Sequence, residues 1–446
     1  IPSNITYIHN TVVAFDPFSS NIADMPHHMV FDRTYIHGFD GVHMQRCVLG
    51  NAAHIAVIDS YLSKCHASGY DSQAFVAWNG PGPFKINNNF LEGAGENVMF
   101  GGADPSVPGV IPSDVEMRGN HFYKNPAWRT PTGSTYTVKN IFELKFVKRL
   151  LFEGNVLEYN WVNGQVGYGF VLWTAADNCP WCVSEDLTFR NNIMRHSANG
   201  ANVAGTGYGG ERLSRVVFEN NLFTEIGRAD TGGGGNLVQL LNAIHNITFN
   251  HNTFLHSEST GTSANAGFYI VSSDEPHSGM YIRNNIITTG QYAILGAGAG
   301  WGLQALNGTS VNWELNGNVV ARNRLDSAFQ SQYGPTNYVV DLADLSLDSE
   351  FRLPAGSPYK NLATDGTDPG ADIDALLYAT RGAVSGVWDG TPPTYKLGDR
   401  NRDGRVNLFD LNILLLELGK TNSPHDLNAD GVVNLFDIVL LTREWD

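Results

Sequence analysis

One phrase, recurring down most of this chain, limits what it can fold into. It runs apolar, two mostly polar residues, Asn, then usually two bulky residues. Copies begin at Ile86, Met117, Phe152, Phe189, Phe218, Phe249, Ile282 and Leu315, and weaker copies with a hydroxyl in place of the amide begin at Phe31 and Val57. The fourth member is Thr34, Ser60, Asn89, Asn120, Asn155, Asn192, Asn221, Asn252, Asn285 and Asn318, at steps of 26 to 37 residues. A structural unit with loops of variable length gives this jitter. Asn is depleted in strands, so its return beside strand-like residues needs a cause. Stacking supplies one: in a solenoid, one Asn per coil sits above the last and hydrogen-bonds along the stack. An ordinary antiparallel sandwich with Asn-rich turns has no reason to place Asn at one position of the phrase eight times. The apolar residues flanking each Asn are expected to fill the bore, and ten rungs at strand spacing give a rod of about 43 Å.

The phrase and its coils resemble right-handed parallel β-helix proteins of the pectin-lyase-like superfold. The closer resemblance is to secreted bacterial β-helix proteins, carried by Trp78-Asn-Gly-Pro-Gly-Pro-Phe-Lys85 and Glu92-Gly-Ala-Gly-Glu-Asn-Val-Met-Phe-Gly-Gly-Ala-Asp104. It covers roughly residues 25–375 and implies a mainly β fold, not a reaction. We divide the chain into a β-helix over 1–325, an extended tail over 326–390 that is expected to run back along the solenoid and cover its C-terminal end, a linker over 391–397 and a small α-helical domain over 398–446. No N-terminal cap is evident, so upstream residues or another chain are expected to cover that end.

The last 49 residues change character. Asp399, Asn401, Asp403, Arg405 (through its carbonyl), Asn407 and Asp410 occupy positions 1, 3, 5, 7, 9 and 12 of a loop with Gly404 at position 6. Asp426, Asn428, Asp430, Val432 (carbonyl), Asn434 and Asp437 repeat the pattern 27 residues later. Calcium takes six to eight oxygens at flexible distances, and this spacing wraps them round one ion. The expected cofactor is therefore two calcium ions. Each loop runs into an apolar segment. The duplicated loop–helix looks like a type I dockerin, whose family binds cohesin domains and tethers secreted proteins to scaffolds or cell surfaces. The family's recognition pair, often Ser/Thr, is here Leu408-Phe409 and Leu435-Phe436. Two such pairs are costly to leave in water. They are expected to be buried against a partner, a cohesin-like domain or a neighbouring copy of this protein, or against its own β-helix.

A net charge of −16 argues against nucleic acid. No apolar run is long enough to span a membrane. Of four cysteines, Cys179 and Cys182 fit a local disulfide, and Cys47 and Cys65 are candidates for a second between neighbouring coils, in keeping with a secreted or cell-surface protein.

Catalytic candidates are few. Glu92, Glu158 and Arg195 fall in a polar stripe three residues past the ladder. Glu92 and Glu158 would stand two coils apart, about 9.6 Å, near the upper end of the separation for inverting glycoside hydrolysis. The same stripe is also explained as a solvated face with Glu158–Arg195 pairing. Lys124, Arg118 and Arg190 are possible bases without a visible acidic cluster, and adjacent His27 and His28 are expected on opposite faces of a strand. Two functions follow: a non-catalytic extracellular protein tethered or polymerised head-to-tail through its calcium module, or a scaffold-held polysaccharide lyase or glycoside hydrolase.

Overall fold

In a computed structural model the described residues are 11–15, 19–207, 209–257, 266–272, 275–322, 327–386, 398, 400, 406, 408–421, 423, 425–428, 431–443 and 445. The chain divides into two compact units, Ile1–Val387 and Trp388–Asp446.

The first unit is a stack of coils, each giving one strand to each of three sheets. The first sheet runs from Thr11–Ala14 to Gly300–Trp301, the second from His27–Asp32 to Ser310–Asn316, and the third from Tyr35–His37 to Tyr338–Asp341, with 11, 10 and 11 strands among the described residues. Within each sheet every strand pairs with that of the next coil, in parallel except for Gly300–Trp301. This is the architecture of a parallel β-helix, the mainly β fold expected from the phrase.

The phrase is the corner between the second and third sheets. Its Asn residues form a continuous buried ladder. The Asn192 Oδ1 accepts from the Asn155 amide N–H at 2.9 Å and from the Asn155 side chain at 3.1 Å, and Asn192 Nδ2 donates to Asn221 Oδ1 at 2.9 Å. At the hydroxyl end the Thr34 N–H donates to Ser60 Oγ at 3.0 Å. The residue before each rung from Thr34 to Asn318 is left-handed: Asn88, Asn191, Asn220 and Asn284 have φ of 54, 54, 53 and 57°, and Gly119, Gly154 and Gly317 of 61, 66 and 67°. Only Gly, and less readily Asn or Asp, adopts that conformation cheaply. The third place in the phrase is thus polar or Gly because the corner demands positive φ.

The bore takes two members of the phrase. The residue three before the Asn points in, with Phe189 stacked on Phe218 at 4.8 Å and Phe218 on Phe249 at 5.2 Å. The second residue after it, Leu157, Met194, Phe223, Phe254 and Ile287 in successive coils, is also buried in the core. The first residue after it is not, contrary to expectation. Val156, Ile193, Leu222 and Ile286 lie on the outer face of the third sheet, in a separate cluster with Leu345, Leu353, Leu376 and Ala383.

The tail supplies part of that cluster. The ladder does not stop with Asn318, whose side chain donates to Asn337 Oδ1 at 2.8 Å. Gly334 and a 19-residue step hide this rung from the pattern. Beyond it the tail runs back along the third sheet. The Thr364 N–H donates to Asn284 Oδ1 at 2.8 Å, the Ala371 N–H to Thr253 Oγ1 at 2.9 Å and the Asp372 N–H to Asn220 Oδ1 at 2.5 Å. At the C-terminal end the helix Leu303–Thr309 packs on Tyr292–Gly296, with Phe329 and Tyr333 in the core.

The histidine pair also departs from alternation. His28 has φ 59°, and its ring meets that of His27, with Nδ1 atoms 2.8 Å apart. Left-handed backbone cancels the strand's side-to-side alternation, on which the expectation of opposite faces rested.

Candidate functional site

Glu92, Tyr123, Glu158 and Arg195 are consecutive partners across the third sheet, in strands Phe90–Gly93, His121–Tyr123, Val156–Asn160 and Ile193–Ser197. They form one column on its outer side. The Glu158 carboxylate is 5% exposed, and both its oxygens are engaged: His121 Nε2 lies 2.6 Å from Oε2, and Arg195 Nε donates to Oε1 at 2.5 Å. Burial pushes this carboxyl up, but His121 and Arg195 outweigh it and hold Glu158 below the usual carboxylate range. Glu92 is 6% exposed and accepts the Lys64 N–H at 2.8 Å. Burial dominates there and pushes Glu92 up, against hydrogen bonds from Lys64 and Asn125. The column ends where the register shifts between Phe223 and Ile226, which sets His256 opposite Ile226.

A second cluster had no sequence signal. Glu96 is fully buried, and its carboxyl is pushed up to about 8 by burial and by the charges of Glu143 and Asp71. Gln73 Nε2 donates to Glu96 Oε2 at 2.7 Å, while Lys139 Nζ lies 3.8 Å from Glu96 Oε1 and 2.7 Å from Asp71. Asn140 Nδ2 donates to Glu143 Oε2 at 2.7 Å. These groups come from separate coils of the first sheet, and no phrase marks them. Lys124 is committed elsewhere: its buried ammonium donates to the carbonyls of Gly93, Ala94 and Gly95 at 3.0, 2.9 and 2.9 Å. Burial lowers it to about 7. The lysine holds a turn.

The second unit contains helices Leu408–Glu417 and Leu435–Thr442 around Val406, Leu414, Leu427, Val433 and Leu441. Val406 and Leu414 recur as Val433 and Leu441 at the 27-residue offset. So does one hydrogen bond. The Arg400 N–H donates to Asp410 Oδ1 at 2.7 Å, and the Leu427 N–H donates to Asp437 Oδ1 at 2.6 Å. Both carboxylates are fully buried. In the second loop the Gly431 N–H donates to Asp426 Oδ2 at 2.7 Å, curling the loop at a glycine with φ 98°. Asn434 caps the following helix through the Phe436 N–H at 2.8 Å.

Of the expected calcium ligands, Asp410, Asp426, Asn428, Val432, Asn434 and Asp437 are described. Asp399, Asn401, Asp403, Arg405, Asn407 and Asp430 lie outside the described residues. Among the described residues, no three His, Cys, Asp or Glu side chains are placed to hold a metal together. Leu408, Leu435 and Phe436 are 63, 69 and 69% exposed, and the Phe409 side chain lies outside the described set.

Cys47 is joined to Cys65 and Cys179 to Cys182. Among the described residues no helix is long and apolar enough to cross a membrane. No known family model, curated protein or solved structure matches the chain.

Proposed function

We propose that this is an extracellular β-helix protein with a structural or adhesive role, tethered or assembled through a calcium-loaded, dockerin-like C-terminal module. The observation that carries this reading is the internal equivalence of the second unit. Asp410 and Asp437, last in their loops, are both fully buried and each accept the N–H of the loop's second residue. A pair of solvated Asx turns has no need to bury a carboxylate at the same place twice. The donor set is all oxygen, which suits a hard cation. Asp399, Asn401, Asp403, Arg405, Asn407 and Asp410 would hold one calcium, and Asp426, Asn428, Asp430, Val432, Asn434 and Asp437 the other, each ion pinning its loop against the helix that follows.

The exposed Leu408, Leu435 and Phe436 are the contact surface for the partner, a cohesin-like domain or a second copy of this chain. Two disulfides suit an oxidising compartment. We take the coil as right-handed, the hand of nearly all parallel crossovers.

Calorimetric titration of the full chain with calcium tests the first half: two sites are expected, falling to one in Asp437→Ala. Binding that survives both Asp410→Ala and Asp437→Ala would sink it. Light scattering after size exclusion, with calcium or with EGTA, tests assembly. A monomer in both, with no capture of a cohesin panel, removes the tethering role.

A second reading, a glycan-cleaving enzyme, is favoured by one observation. Glu92 is held up and Glu158 down, the split that assigns acid and base roles to paired carboxylates. Against it, both groups are buried and hydrogen-bonded, and Tyr123 lies between them. Activity on a glycan panel that is lost in Glu158→Gln would reverse this preference.

A further inference from the structure

Near the start of its strands the second sheet carries a second column of left-handed residues. His28, His54, Asp114, Arg149, Asp186 and Arg215 have φ of 59, 54, 54, 57, 58 and 55°. They are in register from coil to coil, with Pro83 between His54 and Asp114. In the later coils their side chains pair as opposite charges. Arg149 donates to Asp114 at 2.6 and 2.8 Å, and Arg215 to Asp186 at 2.6 and 3.1 Å. In the first coils imidazoles hold the same place. His28 and His54 stack with ring centres 4.5 Å apart and planes 10° apart. His27 adds a third ring, edge-on to His28 at 88°, with the two Nδ1 atoms 2.8 Å apart. All three histidines are exposed.

Three features make His27 and His28 a chelating pair. The first is direction: strand alternation would part the two rings, and the left-handed His28 brings them together. The second is preorganisation: the stack on His54 holds the His28 ring in place before any ligand arrives. The third is bite. Two nitrogens 2.8 Å apart, each about 2.05 Å from a metal, subtend roughly 86° at it. That is close to the cis angle of tetragonal Cu(II) or Ni(II), and well short of the tetrahedral angle of about 109° that suits zinc. Without a metal, one Nδ1–H to Nδ1 hydrogen bond accounts for the contact. A cation replaces it when both rings are Nε2–H tautomers. The shared proton then passes through water to the vacated Nε2, and the pair keeps its charge. Two nitrogens are the protein's whole share of the site, since no third His, Cys, Asp or Glu joins them among the described residues. Water completes the coordination.

We propose that His27 and His28 bind one divalent transition-metal ion, Cu(II) in preference to Zn(II), through their two Nδ1 atoms. The site uses no residue of the calcium loops, whose oxygen donors suit a harder cation, and it requires neither tethering nor catalysis.

The test is titration of the full chain with Cu(II), Ni(II) and Zn(II) in saturating calcium, followed by calorimetry and, for copper, by electron paramagnetic resonance. A Cu(II) signal split by two nitrogens should appear, and copper should bind more tightly than zinc. His27→Gln and His28→Asn, the latter tolerated by the left-handed backbone, should each weaken that site about 100-fold, as when one arm of a chelate is lost. His54→Asn removes no ligand and should leave the two-nitrogen splitting intact. All three positions are exposed, so the circular dichroism of each variant should match the parent. Three results would overturn the proposal. One is no copper bound below about 1 mM. Another is a copper spectrum unchanged in the His27 and His28 variants, which places the ion elsewhere. The third is tighter binding of Zn(II) than of Cu(II), which contradicts the bite.

Discussion

Removing one rung from the middle of the ladder has a cost that can be worked from its hydrogen bonds. Asn192 is fully buried. Its Oδ1 accepts from the buried Asn155 N–H, and its Nδ2 donates to both the Phe152 carbonyl and Asn221 Oδ1, each at 2.9 Å. In Asn192→Ala, Asn155 Nδ2 keeps the Met117 carbonyl and Asn221 Oδ1 keeps the residue-192 N–H. The Asn155 N–H loses its acceptor, at about 1–3 kcal/mol, and the missing amide leaves a small void worth about 1 kcal/mol more. The expected loss is about 3 kcal/mol. Asn192→Ser should recover part of it, because Ser60 already acts as a rung, accepting the Thr34 N–H at 3.0 Å and donating to the Ile58 carbonyl at 2.7 Å. Asn192→Asp should be worse than Ala, since it turns oxygens towards Phe152 O and Asn221 Oδ1. The adjacent Asn191→Gly suits the left-handed backbone and should stay within about 0.5 kcal/mol of the parent. Urea unfolding followed by circular dichroism measures all four; midpoint and slope are read together, because a solenoid that unravels from one end lowers the slope. An Ala variant costing under about 1 kcal/mol, or an Asp variant as mild as Ser, refutes the argument that each rung is an obligatory acceptor.

Breaking the Cys47–Cys65 bridge, which spans 18 residues, should lower stability by about 3 kcal/mol; equal urea midpoints for the parent and the Cys47→Ala/Cys65→Ala variant contradict this. His251 faces Asp365 of the returning tail at 2.8 Å; burial lowers the imidazole, but the Asp365 carboxylate outweighs it and holds it above its ordinary value. This stabilisation is full below the unfolded value and is lost as pH rises through the raised folded value, so hydrogen exchange around Thr364–Ala371, corrected for intrinsic rate, should speed up in alkali, and Asp365→Asn should flatten the change. Glu96 keeps its proton to about 8 when folded against an ordinary 4.5, so its contribution falls as pH rises between those values. Glu96→Gln should flatten that part of the melting-temperature profile, and an unchanged slope would show that the group titrates normally.

The phrase by itself determined the repeat and the ladder from Thr34 to Asn318, because one-dimensional stacking repeats the same local demand in every coil, an Asn to bond upwards; that the Asn stands at a sheet corner behind a residue of positive φ is decided by the fold. The duplicated loop–helix pattern was legible for the same reason, since its spacing is local. What the phrase could not express is contact between distant segments. It shows two bulky residues after each Asn, but only the tertiary structure decides that Leu222 lies outside the bore against the tail while Phe223 fills it. It shows Lys124 as a candidate base, but only the fold turns that ammonium onto three carbonyls. The Glu96 cluster draws on residues tens of positions apart, joined by loops of unequal length. Its chemistry is set by burial, and burial belongs to the packed molecule.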